Sequence, residues 1–334
     1  METIAILGGG SWGTALALVL ARSERRPRSL RLWVHDPRLA RAVRDQRVNE
    51  TYLPGFPLPP AIEVTSDLAQ AVAGAELIVG VMPSAHAREI YTAALPHAAK
   101  QAAFLSATKG LETGRLARMS QVVEEAASPR AVRVAALSGP SFAREVARGD
   151  PTAVVAASAD RELARAAQEL FSGPTFRIYT SADILGVELG GAVKNIIAIA
   201  AGICVGLGLG HSSLAALVTR GAAEMTRLAC ALGAEPRTLA GLSGIGDLVL
   251  TATGTLSRNR AVGIELGRGR RLAEILRSTR MVAEGVGTTA AAIELARRAG
   301  VEMPITEQMY AVLYQGRAPS DAIRELMQRR LKEE

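Results

Sequence analysis

The amino-acid sequence predicts an α/β domain, with helices on both faces of a mostly parallel sheet, followed by an all-α domain. Three observations support this fold class. At 334 residues the chain is longer than one hydrophobic core usually accommodates. Up to about residue 180, short apolar runs alternate with helical patterns, and after Ala182 the strand patterns stop. We therefore predict domains at residues 1–183 and 184–334.

The apolar runs of the first half are predicted to be strands of one sheet. They lie at Thr3–Leu7, Ser29–Val34, Glu76–Met82, Ala102–Thr108, Val132–Ser138, Ala153–Ser158 and Phe176–Thr180. Helical segments such as Gly13–Arg22 and Leu116–Ala127 separate most of them, which is typical of parallel strands joined by crossovers. The proline-rich stretch Tyr52–Ile62 breaks this alternation and is predicted to be a long surface loop.

The second half is predicted to be helical. Its helices are expected at Glu188–Ile203, at Ser212–Leu232 and near residues 258–267, 271–277, 288–299, 304–314 and 319–331. Residues 196–219 carry no Asp, Glu, Lys or Arg, and this uncharged stretch is long enough for a membrane span. Glycines and the polar run His211–Ser213 interrupt this stretch, so a buried helix followed by a Gly-rich turn is the better interpretation. The N-terminus has no signal-peptide pattern, and we expect a cytoplasmic protein.

Composition limits the class of partner. The formal net charge is +7, and arginines outnumber lysines almost nine to one along the whole chain. Basic residues form no long run and no region interleaved with aromatic residues, so nucleic-acid binding is disfavoured. A cleft for a small anion is the better use of this charge. Cys204 and Cys230 lack CxxC or metal-ligand spacing, so we expect reduced core cysteines and no metal.

A glycine-rich turn follows the first predicted strand. Gly8, Gly10 and Gly13 form a G-x-G-x-x-G pattern between this strand and a helix. The glycines permit a tight turn and close backbone approach, so a pyrophosphate can lie at the helix N-terminus. This context predicts a Rossmann-type dinucleotide site, with Ser11 and Trp12 as candidate cofactor contacts.

The end of the second predicted strand bears on the choice between NAD and NADP. Asp36 follows Gly13 by 23 residues, and an acid here accepts hydrogen bonds from the ribose of NAD. His35, with Arg31 and Arg38 nearby in sequence, could instead meet the 2′-phosphate of NADP. These residues do not decide between NAD and NADP. For His35, the alternative is a surface position that binds no ligand.

Two lysines have unusual surroundings in this arginine-rich chain. Lys109 follows the fourth predicted strand, at the sheet edge where ligands bind, and Lys194 lies in the apolar helix. Of lysine and arginine, only lysine readily gives up its proton near neutral pH, and burial lowers the pKa of a lysine toward that range. Proton transfer is therefore the predicted role of Lys194, with a snorkelling side chain as the alternative. Gly190 and Gly191 are expected to leave room beside it for cofactor or substrate.

Other polar residues follow turns or glycines. Gly139, Pro140 and Ser141 are expected to open a helix, where Ser141 is either a ligand contact or an N-cap. Asp247 could orient a lysine amine, and Thr251 lies one helical turn further on.

Two more segments join these candidates. Ser257–Arg260 starts another predicted helix and combines guanidinium, amide and backbone N–H groups, as a phosphate site requires. A capped helix with surface arginines is the alternative. Glu284 lies among small residues, and Gly285 and Gly287 are expected to allow close backbone approach.

Together these motifs closely resemble the bacterial type of NAD(P)-dependent glycerol-3-phosphate dehydrogenases. The resemblance spans nearly the whole chain, through GGGSWGTALA, YLPG, SATKGLE, LSGPSFAREVA, GVELGGAVKNIIAIAAGI, GDLVLTATGTLSRNRAVG and VAEGVGTT. It implies reversible reduction of dihydroxyacetone phosphate to sn-glycerol 3-phosphate, which feeds phospholipid synthesis. It also implies NAD or NADP as the cofactor, often NADPH in bacteria. A homodimer formed through the helical half is a further expectation.

The resemblance implies individual roles as well. Lys194 is the implied proton donor and acceptor, and Lys109, Asp247 and Thr251 complete the candidate catalytic residues. The candidate substrate contacts are Lys109, Gly139, Ser141, Lys194, Asp247, Ser257, Arg258 and Asn259. The candidate cofactor contacts are Gly8, Gly10, Ser11, Trp12, Gly13, His35, Asp36, Lys109, Ala143, Arg258, Val282 and Glu284.

Two other functions stay open on the residues alone. A two-domain dehydrogenase of the β-hydroxyacid type also uses a helical lysine, in a G-x-x-K-x-x-N-like pattern that Gly191, Lys194 and Asn195 share in part. The Ser257–Arg260 pattern favours a phosphorylated substrate over a carboxylate. A regulatory protein that binds NAD(P) without turnover is the second alternative.

Overall fold

The computed structural model describes residues 1–278 and 282–331. Contacts divide the chain into two units. The first comprises Met1–Lys109 and Ala117–Glu188, and the second comprises Gly110–Leu116 and Leu189–Glu334. The predicted domain boundary between residues 183 and 184 stays a prediction.

Among the described residues, the strands all lie before residue 182, whereas helices occur in both units. The strands are β1 (Thr3–Leu7), β2 (Ser29–Trp33), β3 (Val48–Asn49), β4 (Leu53–Pro57), β5 (Ile62–Thr65), β6 (Leu77–Gly80), β7 (Ala103–Ser106), β8 (Leu111–Glu112), β9 (Ala117–Arg118), β10 (Val134–Ser138), β11 (Thr152–Ala157) and β12 (Phe176–Ser181). The helices are α1 (Ser11–Arg22), α2 (Pro37–Gln46), α3 (Leu68–Val72), α4 (Ala87–Ala94), α5 (Met119–Ala127), α6 (Ala143–Arg148), α7 (Arg161–Phe171), α8 (Ile184–Gly206), α9 (His211–Ala231), α10 (Pro236–Leu239), α11 (Asp247–Thr253), α12 (Arg258–Gly267), α13 (Leu272–Arg277), α14 (Glu284–Ala299), α15 (Pro304–Tyr314) and α16 (Pro319–Met327).

Eight strands form one sheet in the first unit, in the order β12-β11-β10-β7-β6-β1-β2-β5. Neighbouring strands are parallel except β10 and β11, which are antiparallel. From β5 to β10 the strands follow the 3-2-1-4-5-6 order of dinucleotide-binding sheets. The order reverses between β1 and β6, and sheets of this kind bind their ligands at such a point. The predicted α/β fold with a helical C-terminal part is confirmed.

The prediction misses β5 and the two-residue strands β3, β8 and β9, and it is wrong in part about the proline-rich segment. β5 has only four residues, and the exposed Glu63 interrupts its apolar pattern, so it carries a weak strand signal. The predicted surface loop Tyr52–Ile62 contains β4, which pairs with β3. Leu53 and Leu58 from this segment are buried in the core beside the sheet.

The first helix packs tightly against the end of β1 because its first turn contains Gly13. A Cβ on Gly13 would lie 1.9 Å from the carbonyl oxygen of Gly8. Leu16, Leu18 and Leu20 on α1 are fully buried. Each buried leucine contributes roughly 1.5–3 kcal/mol, which anchors α1 on the sheet.

Among the described residues, α8 is the single helix that is long and apolar enough to cross a membrane. Of its most apolar window, 89% is buried inside the protein, as in the core helix of a globular fold. The segments Pro236–Thr253 and Arg258–Gly267, bent by 48°, pass the same test only when they are taken together.

Glycines let α8 and α12 approach each other closely in the second unit. A Cβ on Gly202 would lie 2.1 Å from the carbonyl oxygen of Arg260, and one on Gly263 would lie 2.0 Å from that of Ile199. Of the glycines that interrupt the apolar stretch, Gly202 and Gly206 are therefore helix-packing positions, whereas a Cβ on Gly208 or Gly210 would have no atom within 4 Å. The helix predicted from residue 288 begins at residue 284, and the helix predicted to residue 331 ends at residue 327.

Candidate functional site

The glycine-rich turn lies after β1, at the point where the strand order reverses. Gly8 has a φ of +131°, and a Cβ there would lie 2.7 Å from the carbonyl oxygen of Val81. A Cβ on Gly10, in contrast, would have no atom within 4 Å. The turn therefore has one packed side and one open side. Ser11 and Trp12 are the first residues of α1 and are half-buried.

A segment distant in sequence holds the turn from its packed side. Asn49 donates from Nδ2 to the carbonyl oxygen of Gly9 (2.8 Å) and to the hydroxyl of Thr14 (2.9 Å). The Ser11 hydroxyl donates to the carbonyl oxygen of Tyr52 at 2.6 Å. Sequence reasoning missed Asn49, because the only local signal is its place next to the YLPG motif.

The candidate nucleoside contacts follow β2. His35 is exposed, and its ring lies 5.5 Å from the ring of Trp33. Asp36 is the N-cap of α2, where its carboxylate accepts the N–H of Arg38 at 2.8 Å. Arg31 pairs with Glu63 and donates to two backbone carbonyls, and its contact with a 2′-phosphate stays a prediction.

Lys109, Gly139 and Ser141 meet at the carboxyl edge of the sheet. The Lys109 ammonium donates to the carbonyl oxygen of Gly139 at 2.7 Å and to the Ser141 hydroxyl at 3.4 Å. Gly139 has a φ of +140°, in the region that favours glycine. The expectation that Ser141 opens the helix is wrong, since α6 begins at Ala143 with Phe142 as its N-cap.

Lys194 has a carboxylate and a hydroxyl as partners in the second unit. Its ammonium lies 2.5 Å from Oδ1 of Asp247 and 2.7 Å from Oγ1 of Thr251. Thr251 donates to the carbonyl oxygen of Asp247, one turn earlier in α11, at 2.6 Å, which turns its lone pairs toward the lysine. Lys194 is only 4% exposed, so the pair is a buried ion pair with an additional hydrogen-bond acceptor.

The N-terminus of α12 carries the candidate phosphate contacts. The Ser257 hydroxyl caps this helix by accepting the N–H of Arg260 at 3.2 Å. Arg258, the first helical residue, is exposed and interacts electrostatically with Glu284. The amide of Asn259 is buried.

The Asn259 amide joins three helices. Its Nδ2 donates to Oδ1 of Asn195 on α8 at 2.9 Å, and its Oδ1 accepts the N–H of Gly285 on α14 at 3.0 Å. A Cβ on Gly285 would lie 2.7 Å from the carbonyl oxygen of Asn195, so the close approach expected there is present. A Cβ on Gly287 would make only an ordinary contact, so that part of the expectation is wrong.

Gly190 has a packing role instead of the predicted ligand role. A Cβ on Gly190 would lie 2.6 Å from the carbonyl oxygen of Ser243, in the π-helical turn before α11. Because that turn leads into Asp247, close packing here helps to set the acid against Lys194. Val282, a candidate cofactor contact, is 46% exposed and lies just before α14.

The candidate residues thus form two groups, one in each unit. The residues present fit a dinucleotide in the first unit, where Gly10 faces open space and the buried Nε1 of Trp12 has no protein partner in the described structure. Within residues 1–278 and 282–331, no cluster of three or more His, Cys, Asp or Glu side chains could hold a metal ion.

Comparison with known proteins shows which family the chain resembles over its two halves. The family model for the NAD-dependent glycerol-3-phosphate dehydrogenase N-terminus matches residues 3–164, and that for the C-terminus matches residues 183–324. The glycerol-3-phosphate dehydrogenase [NAD(P)+] of Koribacter versatilis is 56% identical over 98% of both chains. That of Citrifermentans bemidjiense is 53% identical over 100% of this chain and 99% of its own.

A solved structure agrees with these sequence matches. The crystal structure of glycerol-3-phosphate dehydrogenase from Coxiella burnetii has 40% sequence identity and a TM-score of 0.93, and the match covers 98% of this chain and 99% of that one. The chain belongs to the NAD(P)-dependent glycerol-3-phosphate dehydrogenase family.

Proposed function

We propose that this protein catalyses the reversible reduction of dihydroxyacetone phosphate to sn-glycerol 3-phosphate with NADH or NADPH. The observation that carries the proposal is the buried Lys194–Asp247 ion pair on α8 and α11, together with the packing of α8 against the α12 helix that bears Arg258. A ketone phosphate needs a proton donor for its oxygen and a cation for its phosphate, and these residues supply both.

Residues of the first unit are suited to hold the cofactor. The bound nicotinamide would supply the hydride for the ketone carbon. The open side of the turn at Gly10 and the N-terminus of α1 would bind the pyrophosphate. The exposed His35 and Asp36 would meet the adenosine ribose, and Trp12 would lie along the dinucleotide.

Lys194 would move the proton in this reaction. As the ketone becomes an alcohol, negative charge develops on its oxygen, which the ammonium stabilises before it donates a proton. A general acid in this position contributes about 10²–10⁴-fold to the rate. In the oxidation direction the neutral amine takes the alcohol proton. Asp247 and Thr251 would hold the Nζ atom in place through both steps.

Two further cations would act on the substrate. Arg258, with the N–H groups at the start of α12 and the Ser257 cap, would bind the phosphate. Lys109, with Gly139 and Ser141, would provide a second positive charge. The binding energy of the phosphate would be used to orient the carbonyl group for reaction.

We also propose a physiological setting. Glycerol 3-phosphate made by this reaction would supply glycerophospholipid synthesis. The two cysteines, Cys204 and Cys230, are free, as expected for a reducing cytoplasmic location. A homodimer formed through the helical half is proposed as the assembly, which size-exclusion chromatography with light scattering would test.

The direct test is an initial-rate assay with dihydroxyacetone phosphate and each reduced cofactor. We expect oxidation of NADH or NADPH only when the phosphorylated ketone is present, and no comparable rate with 3-oxo acids. Turnover of 3-oxo acids instead would support the β-hydroxyacid alternative. Cofactor binding without turnover of any ketone would support a regulatory protein.

A further inference from the structure

Three consecutive glycines make the dinucleotide turn easy to distort. Gly8, Gly9 and Gly10 have no side chains, so the peptide planes between them rotate at little steric cost. A pyrophosphate site needs the N–H groups of such a turn to point in one direction before the ligand binds, because ordering them afterwards costs affinity. A restraint from outside the turn would provide this order.

Asn49 has the contacts of such a restraint. Both hydrogens of its Nδ2 are engaged, by the carbonyl oxygen of Gly9 and the hydroxyl of Thr14, and its Oδ1 accepts the N–H of Tyr52 at 3.2 Å. The residue is completely buried. A rotated amide would leave buried polar atoms unpaired, so the side chain is held in a single orientation.

The bond to Gly9 determines where the next N–H points. The carbonyl of Gly9 and the N–H of Gly10 belong to one trans peptide and point in opposite directions. Gly9 lies on the packed side of the turn, where a Cβ would be 2.5 Å from Cγ2 of Val34. Because Asn49 draws the Gly9 carbonyl toward itself, the Gly10 N–H is directed away from Asn49, and Gly10 is the residue that faces open space.

We propose that Asn49 is a positioning residue that presets the glycine-rich turn for the cofactor pyrophosphate. The bond from the Ser11 hydroxyl to the carbonyl oxygen of Tyr52 ties the turn to the same segment a second time. Asn49 acts through the backbone of Gly9 and Gly10, so its effect falls on cofactor affinity. The inference rests on the proposed function only in taking NADH or NADPH as the ligand of this turn.

The experiment is a titration of the full-length protein with NADPH and with NADH, followed by the fluorescence of the reduced nicotinamide. Asn49→Ala removes the restraint, and we expect the cofactor Kd to rise about tenfold, as for the loss of one or two hydrogen bonds. Asn49→Asp keeps the size of the side chain but places an oxygen against the Gly9 carbonyl, and we expect at least the same rise. The kcat at saturating cofactor is expected to stay within about twofold of wild type.

Two control variants separate positioning from general stability. Thr14→Val removes one partner of Asn49 but leaves the bond to Gly9, and its Kd is expected to stay near that of wild type. Ser158→Ala removes another buried bond from a side chain to a backbone carbonyl in the same unit, that to Val134 at 2.6 Å. It is expected to lower the Tm without changing the Kd.

Two results would overturn the role of Asn49. One is an unchanged cofactor Kd in both Asn49 variants, or in Asn49→Asp if Asn49→Ala does not fold. The other is an equal rise of the Kd in Ser158→Ala. Wild-type protein that binds NADPH but does not reduce dihydroxyacetone phosphate would contradict only the proposed function, because the comparison of Kd values needs no turnover.

Discussion

Lys109 and Lys194 are both candidate site lysines, yet their surroundings differ. Lys109 is half-buried, and its partners include the carbonyl oxygen of Gly139 and the hydroxyl of Ser141. Lys194 is buried and donates to the carboxylate of Asp247. A half-exposed ammonium keeps part of its hydration, whereas a buried ammonium needs an opposite charge. The difference favours a charge-stabilising role for Lys109 and a proton-transfer role for Lys194.

The strongest test of this comparison is Lys194→Arg. Arginine keeps the positive charge but does not give up a proton, so we expect kcat to fall by about 10³-fold or more. The NADPH Kd is expected to remain that of wild type, since Lys194 is not among the candidate cofactor contacts. Initial rates and a fluorescence titration measure the two quantities, and a near-normal kcat would contradict the proton-transfer role.

The next largest effect is expected for Asp247→Asn. The amide has the shape of the carboxylate but cannot balance the buried ammonium, so we expect kcat to fall about a hundredfold. Removing one partner of a buried pair also costs about 3–5 kcal/mol, which urea unfolding would measure. Unchanged stability together with unchanged kcat would show that the ion pair is not needed to hold Lys194.

Lys109 should tolerate arginine, in contrast to Lys194. We expect Lys109→Ala to lower kcat/KM by about 30-fold, the scale of one lost charge interaction with the transition state, and Lys109→Arg to recover much of this loss. Lys100, an exposed lysine in the same unit, provides the control variant Lys100→Ala. If both Lys109 variants lose activity equally, charge alone does not describe the role of Lys109.

Arg258 is a third cation of the proposed site, and we propose that it binds the phosphate group of the substrate. We expect Arg258→Ala to raise the KM for dihydroxyacetone phosphate more than tenfold, because a charged hydrogen-bond donor is lost. Arg268→Ala, at the other end of α12, removes an exposed arginine paired with Glu265 and should leave KM unchanged. Equal KM values for the two variants would contradict the phosphate assignment.

Glu224 is a buried carboxyl whose hydrogen-bond partners are neutral, and it should affect stability more than turnover. Its carboxylate accepts the N–H groups of Ile305 and Thr306 at the start of α15, at 2.6 and 3.2 Å. Burial raises the pKa of Glu224 from 4.5 to about 7. Between pH 4.5 and about 7, the Glu224 carboxyl is therefore protonated in the folded state and ionised in the unfolded state. The free energy of unfolding decreases as pH rises through this range, because the folded state binds more protons than the unfolded state.

We expect the ionisation of Glu224 to lower the free energy of unfolding by roughly 1–3 kcal/mol between pH 5 and pH 8. Glu224→Gln cannot titrate and should flatten the pH dependence of the urea midpoint over this range. Glu294→Gln is the matched control, because ion pairs with Arg297 and Arg298 hold the pKa of Glu294 at about 2, below the tested range. An unchanged slope in Glu224→Gln would assign the pH dependence to other groups.

Local sequence patterns determined most of the secondary structure and some of the candidate site residues of this protein. Apolar periodicity predicts most strands and the long helix, because side-chain burial alternates with a period set by each local backbone geometry. The glycine pattern after β1 and the lysine in an apolar run likewise carry their signals within a few residues. Family resemblance extends these signals to Arg258 and Asp247.

The tertiary structure decided the contacts between residues distant in sequence, both the Asp247–Lys194 pair that the sequence suggested and the Asn49–Gly9 bond that it did not. Asp247 reaches Lys194 across 53 residues of sequence, and Asn49 reaches Gly9 across 40. Gly190 packs against a backbone carbonyl where the sequence suggested room for a ligand. No local pattern encodes such contacts, because they depend on how separate helices and strands pack, and a side chain of the same type elsewhere in the chain would look identical.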